Sequence, residues 1–324
     1  METRPSHCDF IVTQNCFLHC KMCHIWKYKT DDETVPFKTY IEFLGALKEF
    51  TGKNMQIQFV GGEPLLKKGI IDLINSASNH GFYTTMTTNG CLVDRKMADG
   101  LITAGLNTIG FSLESLKEER HDFLRGMPGT FNKIMDAISY FRDSPIPEKI
   151  FISTIISGAN LDDIIAIAEW VNKSPRLSFV YFQSIMQPFA MPEDNAWHER
   201  EETKFLWPDT DAAHRVLDTL SALQKQGYKI ANPPGQFNAF KSYFRDPRKF
   251  IKKIKCNLGY NAFSLLPNGD VILCFSMPPI GNIMTERIDA IWNSEKAREV
   301  RKQIAGCQKN CKLMINCFFE DEHV

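Results

Sequence analysis

The stretch TQNCFLHCKMCHIW at residues 13–26 places Cys16, Cys20 and Cys23 in CxxxCxxC spacing. It follows directly on a β-branched and apolar run at 9–14, which predicts a first strand. Three thiolates at this spacing can wrap one metal centre, but they cannot complete a four-cysteine site. One iron of a cubane cluster would therefore remain open to bind a substrate or cofactor.

A zinc ion is the alternative occupant of these thiolates, with His19 or His24 as the fourth ligand, because Cys3His is an established structural zinc set. The spacing favours a cluster, since structural zinc sites usually show paired CxxC or HxxxH spacing. Under the alternative interpretation the chain would be a zinc- or cluster-stabilised electron carrier or binding protein rather than an enzyme.

Outward from this motif, short apolar runs alternate with amphipathic stretches as far as residue 184, which is typical of βα units around a parallel sheet. Strands are predicted at 9–14, 55–60, 83–88, 107–113, 149–156 and 177–184, and helices at 37–50, 67–80, 93–104, 130–142 and 161–173. Six such units predict an α/β fold, a partial (β/α)6 TIM-like barrel, with chemistry at the C-terminal ends of the strands.

The character of the sequence changes after the sixth strand. Residues 185–208 are rich in proline, aromatic and acidic residues, and 209–227 predicts a helix. Further on, Asn268-Gly269 between two apolar runs predicts a β-hairpin, followed by helices around 286–305. We therefore divide the chain into a core at 1–185, a bridging region at 186–255 that shapes a substrate chamber, and a C-terminal extension at 256–324.

Five further cysteines lie in the C-terminal extension. They are Cys256, Cys274, Cys307, Cys311 and Cys317. The predicted hairpin brings the first two towards each other. Buried free cysteines are the simplest alternative, but five so close together favour a second metal centre.

Composition limits the class of protein. Lys plus Arg equals Asp plus Glu at 38 each, so no overall field favours nucleic acid or an anionic membrane. The N-terminus carries no apolar signal region, and no run of eighteen apolar residues occurs. We expect a cytoplasmic protein whose ten cysteines serve metal or redox chemistry rather than disulfides.

The motifs at the predicted strand ends resemble those of the radical S-adenosylmethionine (SAM) superfamily. CxxxCxxC follows the first strand, Gly61-Gly62-Glu63-Pro64 closes the second, Thr88-Asn89-Gly90 the third and Ser112-Leu113-Glu114 the fourth, before His121-Asp122 and Arg125-Gly126. Such a resemblance implies a [4Fe-4S] cluster on Cys16, Cys20 and Cys23, with SAM on its open iron.

The same resemblance implies roles for these residues. Gly61, Gly62, Glu63 and Pro64 hold the SAM amino group, Asn89, Ser112 and Glu114 contact its ribose and methionyl part, Arg125 lies near its carboxylate, and Met22 lies against adenine in place of the more usual aromatic residue. A flavodoxin- or ferredoxin-type donor supplies the electron that cleaves SAM, and the resulting 5'-deoxyadenosyl radical abstracts a hydrogen atom from substrate.

The C-terminal cysteines are similar to those of SPASM and twitch extensions, which carry auxiliary [4Fe-4S] clusters. A full SPASM domain has seven such cysteines, whereas five here suggest the shorter arrangement with one auxiliary cluster. Four cysteines would complete it, so one of Cys307, Cys311 and Cys317 is spare.

Two outcomes for a substrate radical are open. In the first, the auxiliary cluster accepts an electron and the substrate is oxidised. In the second, a thiol such as Cys91 or the spare cysteine returns a hydrogen atom, which gives epimerisation. The expected substrate is a small molecule, sugar- or nucleotide-like, with a ribosomally made peptide as the alternative. The basic and aromatic residues at 240–255 are best explained as an amphipathic helix with a solvated face.

Overall fold

The structure is a computed structural model that describes residues 4–28, 35–52, 55–233, 235–248, 256, 258–307 and 315–316. Its strands are β1 (His7–Thr13), β2 (Gln56–Gly61), β3 (Tyr83–Thr88), β4 (Thr108–Ser112), β5 (Lys149–Ile156), β6 (Leu177–Ser184), β7 (Ala262–Leu265), β8 (Asp270–Ile272) and β9 (Gly281–Asn282). Its helices are α1 (Phe37–Thr51), α2 (Ile70–Asn79), α3 (Arg95–Thr103), α4 (Glu118–Arg125), α5 (Thr130–Tyr140), α6 (Ile164–Lys173), α7 (Thr210–Lys225), α8 (Gln236–Arg245), α9 (Leu258–Asn261), α10 (Ile288–Asn293) and α11 (Glu295–Ala305).

These strands form one sheet in the order β6-β5-β4-β3-β2-β1-β7-β8-β9. Strands β1 to β6 are parallel to their neighbours. All six predicted strands are present, and the α/β fold with helical crossovers is confirmed. Parallel pairing brings the carboxyl ends of β1 to β6 to one edge, where the motifs at their ends meet.

The helices cover the sheet with apolar faces. In α1, Tyr40, Phe43, Leu44 and Leu47 recur at helical spacing and are all buried. On β1, Phe10 packs 5.2 Å from the Tyr40 ring, between centroids. The β-branched and aromatic strand residues thus supply one side of the core and the helices supply the other.

Helix α4 was not predicted from the sequence. Its segment EERHDFLR buries only His121 and Leu124, so the apolar periodicity is too weak to indicate a helix. Two predicted helices also begin later than expected. A 3-10 turn occupies Pro64–Leu66 before α2, and another occupies Leu161–Asp163 before α6.

The predicted hairpin is formed by β7 and β8, which pair antiparallel. Gly269 takes a left-handed φ of +87° in the turn, and its N–H donates to the Leu266 carbonyl. Strand β7 also pairs in parallel with β1. The C-terminal extension therefore continues the sheet of the first six strands.

The bridging region contains α7 and α8. Phe240, Tyr243 and Phe244 of α8 are buried, which confirms the amphipathic helix over this part of the basic segment, and Lys241 pairs with Asp218 of α7. The remaining basic and aromatic residues, Lys249, Phe250, Lys252, Lys253 and Lys255, lie outside the described residues. Within the described ranges, no helix has the length and apolar character needed to cross a membrane.

Candidate active site

The cysteine loop follows β1 and rests on the C-terminal end of α4. The Lys21 N–H donates to the Leu124 carbonyl at 2.9 Å. Gly126 has a left-handed φ of +72°, and a Cβ there would lie 2.2 Å from the His19 carbonyl oxygen. Helix α4, which the sequence did not predict, thus supports the loop that carries the cysteines.

The GGEP segment lies against the other side of this loop. The Gly62 N–H donates to the Thr13 carbonyl at 2.8 Å, and the Glu63 N–H donates to the Asn15 carbonyl at 2.9 Å. A Cβ on Gly61 would lie 2.0 Å from the Thr13 oxygen, and one on Gly62 would lie 2.2 Å from the Asn15 oxygen. Only glycine allows β2 to stay this close to the residues that lead into Cys16.

We expect Gly62→Ala to displace the cysteine loop, because its methyl group would collide with backbone rather than with a movable side chain. After reconstitution, the iron bound per chain should fall by roughly the amount that the SAM-binding cluster contains. The rate of SAM cleavage should fall at least tenfold. Gly45→Ala is the matched control. Like Gly62, Gly45 does not have a positive φ, and the nearest atom to a Cβ there is the His80 Nε2 at 3.8 Å, an ordinary van der Waals contact. Full iron loading of Gly62→Ala would contradict the expected displacement.

Glu63 joins the ends of β2 and β3. Its carboxylate accepts from the Leu65 N–H at 3.2 Å, the Thr88 hydroxyl at 2.7 Å and the Asn89 N–H at 2.9 Å. Burial raises the pKa of Glu63, while these hydrogen bonds and Arg125 oppose the rise. Both carboxylate oxygens therefore have protein donors, and contact with a SAM amino group remains a prediction.

Asn89 and Cys91 extend the site from the end of β3. The Asn89 Oδ1 accepts from the Cys91 N–H at 2.9 Å. The Asn89 Nδ2 is buried and has no hydrogen-bond partner among the described residues. Burial raises the pKa of Cys91 to about 11, and Glu63, Arg125 and Cys20 are among the charged or titratable groups that act on it. Cys91 is therefore a protonated thiol at neutral pH, close to the cysteine loop.

A buried ion pair crosses from β4 to the cysteine loop. The Arg125 Nη2 donates to Glu114 Oε1 at 2.6 Å, and the Arg125 Nη1 lies 3.8 Å from Cys20 Sγ. The other Glu114 oxygen accepts from the Ile155 N–H at 2.9 Å. Burial raises the pKa of Glu114, and Arg125 and the Ile155 amide oppose that rise. Arg125 thus stands between Glu114 and a cysteine of the first group.

Two residues that stabilise this region through hydrogen bonds, His121 and Asn160, were not identified as site residues from the sequence. The His121 Nδ1 accepts from the Glu114 N–H at 3.2 Å. Burial, followed by Arg125, lowers the pKa of His121 to about 3, so the ring is neutral. Asn160 donates to the carbonyls of Glu114 and Ile155. Asn160 directly precedes the helix predicted at 161–173, and that position gives no indication of this contact between the ends of β4 and β5.

The remaining predicted site residues lie in several places. Met22 is buried in the cysteine loop, Pro64 begins the 3-10 turn after β2, and Ser112 ends β4 opposite Ser153 of β5. In the extension, Cys256, Cys274 and Cys307 are partly buried, and Cys274 Sγ accepts from the Ser276 N–H. Cys311 and Cys317 lie outside the described residues.

The thiols of the first group are not gathered around one ion position in this structure. Burial raises the pKa of Cys16 to about 12 and that of Cys23 to about 11, so an iron site must displace their protons. Among the described residues, no three Cys, His, Asp or Glu side chains converge on one ion position. The two histidines considered for zinc have other neighbours. His19 stacks on Trp26 at 4.3 Å, and His24 Nδ1 lies 3.3 Å from Lys27 Nζ.

Unpaired donors beside the loop fit a ligand rich in acceptors. In the described part of the chain, Asn89 Nδ2, Arg125 Nε and His121 Nε2 are buried without a hydrogen-bond partner. A buried donor without a partner is costly, so a bound group that accepts hydrogen bonds would stabilise the site. SAM, with its carboxylate and ribose oxygens, has this chemistry.

The model of the radical SAM superfamily matches residues 10–171, half of the chain. The chain belongs to this superfamily. A second model, the SPASM iron-sulfur cluster-binding domain, matches residues 256–318. This radical SAM enzyme therefore uses SAM, a SAM-binding [4Fe-4S] cluster and an auxiliary iron-sulfur cluster, as the resemblance implied.

Curated relatives carry several activities. The chain is 24% identical to an AdoMet-dependent heme synthase of Methanosarcina barkeri, over 99% of this chain and 96% of the relative. It is 30% identical to an Fe-coproporphyrin III synthase of the same organism, over 76% of this chain and 58% of the relative. A GTP 3',8-cyclase of Helicobacter pylori is 31% identical over 53% of this chain and 54% of the relative.

Solved structures share the fold at low identity. SuiB of Streptococcus suis bound to SAM gives a TM-score of 0.69 at 14% identity, over 92% of this chain and 68% of that chain. The enzyme anSMEcpe with bound SAM and a peptide gives 0.69 at 17% identity, over 96% of this chain and 87% of that chain. These likenesses concern the fold of the core and its extension.

Proposed function

We propose that this radical SAM enzyme removes a hydrogen atom from a C–H bond of a small-molecule substrate, giving oxidation or epimerisation. The alignment with the heme synthase is the observation that supports a small-molecule substrate, because it extends over nearly all of both chains. The name of the GTP 3',8-cyclase relatives also refers to a small molecule. A carboxylate-bearing tetrapyrrole is the first substrate to test, and a sugar- or nucleotide-like compound is the second.

When bound, SAM and the reduced cluster supply a radical able to abstract hydrogen. The chain's own residues would orient these groups. We assign the first cluster to Cys16, Cys20 and Cys23. Asn89 Nδ2 and Arg125 Nε are the unpaired donors available to SAM oxygens, and Gly61 and Gly62 keep β2 close to the cysteine loop.

Exposed aromatic rings beside the cysteine loop would form the rim of the substrate chamber. Phe123 and Phe205 contact each other at 6.0 Å between ring centroids, and Lys21 Nζ lies 5.5 Å from the Phe123 ring. Phe189 is also exposed, and its N–H donates to the Cys23 carbonyl at 2.7 Å. Flat apolar rings next to a lysine suit a planar substrate that carries a carboxylate.

Oxidation is the outcome we favour, since a cluster held by the SPASM domain would supply an acceptor for the one electron that a substrate radical must lose, together with a proton, to become a closed-shell product. Epimerisation requires a thiol to return a hydrogen atom, and Cys91 is the candidate among the residues near the loop. A cytoplasmic location and a flavodoxin- or ferredoxin-type electron donor belong to the same proposal.

Turnover of candidate substrates in deuterated water tests this proposal. With a small-molecule substrate, SAM and a reductant, we expect 5'-deoxyadenosine to rise at least tenfold over the substrate-free rate. The product should be two hydrogens lighter than the substrate and Cys91→Ala should leave its formation intact. A product of unchanged hydrogen count with one deuterium, lost in Cys91→Ala, would indicate epimerisation instead. Turnover confined to short peptides would contradict the substrate class.

A further inference from the structure

Glu114, two residues after β4, is held by the protein at its backbone N–H, its carbonyl and both carboxylate oxygens. Its N–H donates to His121 Nδ1 at 3.2 Å, and its carbonyl accepts from Asn160 Nδ2 at 2.8 Å. Its carboxylate accepts from Arg125 Nη2 at 2.6 Å and from the Ile155 N–H at 2.9 Å. Glu114 is only 1% exposed. Because buried polar groups satisfied in this way allow few other arrangements, Glu114 has one fixed geometry beside the cysteine loop.

Two of these four contacts come from one face of α4. His121 and Arg125 are four residues apart, so their side chains project from the same side of the helix. His121 contacts the backbone of Glu114, and Arg125 contacts its carboxylate. Helix α4 is therefore attached to Glu114 at two points, which fixes both its position and its rotation about its own axis.

Asp122 attaches α4 to the next helix. Its carboxylate accepts from the Gly129 N–H, from the Thr130 hydroxyl at 2.7 Å and from the Phe131 N–H at 2.8 Å. Thr130 is the first residue of α5, so these contacts lie in the first turn of that helix. The adjacent residues His121 and Asp122 thus hold α4 against the end of β4 and against α5.

The position of α4 matters because its C-terminal end contacts the cysteine loop. The Leu124 carbonyl accepts from the Lys21 N–H at 2.9 Å, and Arg125 Nη1 lies 3.8 Å from Cys20 Sγ. A cation that donates to a ligand sulfur favours the more negative, reduced state of an iron-sulfur cluster and so raises its reduction potential. The placement of Arg125 is therefore expected to affect how easily the SAM-binding cluster is reduced.

We propose that His121 is a positioning residue for the SAM-binding cluster and that it acts through Glu114 and Arg125. Since Nδ1 accepts from the Glu114 N–H, the ring proton lies on Nε2. Without this acceptor, the Glu114 N–H would be buried and unpaired, and Glu114 would no longer hold Arg125 beside Cys20. The inference rests on the proposed cluster site in the cysteine loop and not on the identity of the substrate.

Three substitutions of His121 separate the roles of its two ring nitrogens. Asparagine can place an acceptor oxygen near the Nδ1 position, glutamine can place a polar group near the Nε2 position, and leucine can do neither. We expect His121→Leu and His121→Gln to make the midpoint potential of the cluster that responds to SAM more negative. They should also raise the KM for SAM in substrate-free cleavage several-fold. His121→Asn should resemble the unaltered enzyme in both measurements.

Redox titration followed by electron paramagnetic resonance measures the potential, and His80→Leu is the matched control. The His80 ring also makes a hydrogen bond to backbone, because Nδ1 lies 2.7 Å from the Ser76 carbonyl oxygen. His80 follows α2 and precedes β3, so it lies at the edge of the sheet opposite to the strand ends that form the site. Its replacement should change neither the potential nor the KM for SAM.

A measurement on the unaltered protein serves if His121→Leu does not fold. In reconstituted chain labelled with 15N-histidine, nuclear magnetic resonance should show His121 with its proton on Nε2 alone, and His121→Asn identifies its signals by their loss. A proton on Nδ1 would overturn the proposal. So would an unchanged potential and KM in His121→Leu, or failure of His121→Asn to restore them better than His121→Gln. An error in the cluster site itself would be seen differently, as iron fully retained by Cys20→Ala.

Discussion

Cys20→Ala is expected to abolish SAM cleavage, lowering 5'-deoxyadenosine formation at least about a thousandfold, because the reaction has no comparable uncatalysed route. Two thiolates cannot hold the SAM-binding cluster, and Cys20 is the buried member of the group, next to Arg125. The iron bound per chain should fall by the amount that one cluster contains, while the auxiliary cluster keeps its iron. Quantifying 5'-deoxyadenosine and iron on the same sample checks both parts.

Cys8→Ala is the control for this variant. Cys8 is a buried thiol on β1, in the strand that leads into the cysteine loop, but it lies outside the motif. Its replacement should leave iron content and SAM cleavage close to those of the unaltered enzyme. Sustained 5'-deoxyadenosine formation by Cys20→Ala would show that other ligands hold the first cluster.

Glu114→Ala is expected to lower the free energy of unfolding by about 3–5 kcal/mol, the usual cost of leaving one partner of a buried ion pair unpaired. It would leave the Arg125 guanidinium without its carboxylate and the Ile155 N–H without its acceptor. Urea unfolding of the cluster-free chain, followed by circular dichroism, measures the change without any contribution from the cofactors.

Two comparisons make this test specific. The double variant Glu114→Ala with Arg125→Met should be less destabilised than the sum of the two single variants, because neither charge is left alone. Asp162→Ala removes a largely exposed carboxylate that pairs with Arg120 and Lys117, and it should cost about 1 kcal/mol or less. Equal losses of unfolding free energy in Glu114→Ala and Asp162→Ala would mean that breaking the buried Glu114–Arg125 pair costs no more than breaking an exposed one.

The strands were predictable because each is a short β-branched or apolar run bounded by turn residues, as in KIFISTII of β5. Helix α1 was predictable for a similar reason, since its apolar residues repeat at helical spacing. Helix α4 has only two buried positions. It is held by a contact with the cysteine loop, which lies far away in sequence, and by the contact of His121 with Glu114. Its position depends on tertiary contacts that periodicity does not record.

The site residues were likewise predictable from the sequence, but their contacts were not. The motif glycines, Glu63, Glu114 and Arg125 were identified from the resemblance, and the structure brings them together around the cysteine loop. The partners of these residues were not predictable. Glu63 accepts from Thr88 and Asn89, and Arg125 lies between Glu114 and Cys20, because the strand ends are neighbours only once the parallel sheet has formed.

By itself, the sequence determined that this chain has two cysteine groups and an α/β core, since thiol spacing and apolar periodicity are local properties. The incompleteness of Cys16, Cys20 and Cys23 as a four-cysteine site was also visible from their spacing. Only the tertiary structure decided what surrounds them. The close approach of Gly62 to Asn15, the contact of Arg125 with Cys20 and the hydrogen bond from Asn160 to the Glu114 carbonyl join residues distant in sequence, which only folding brings within contact distance.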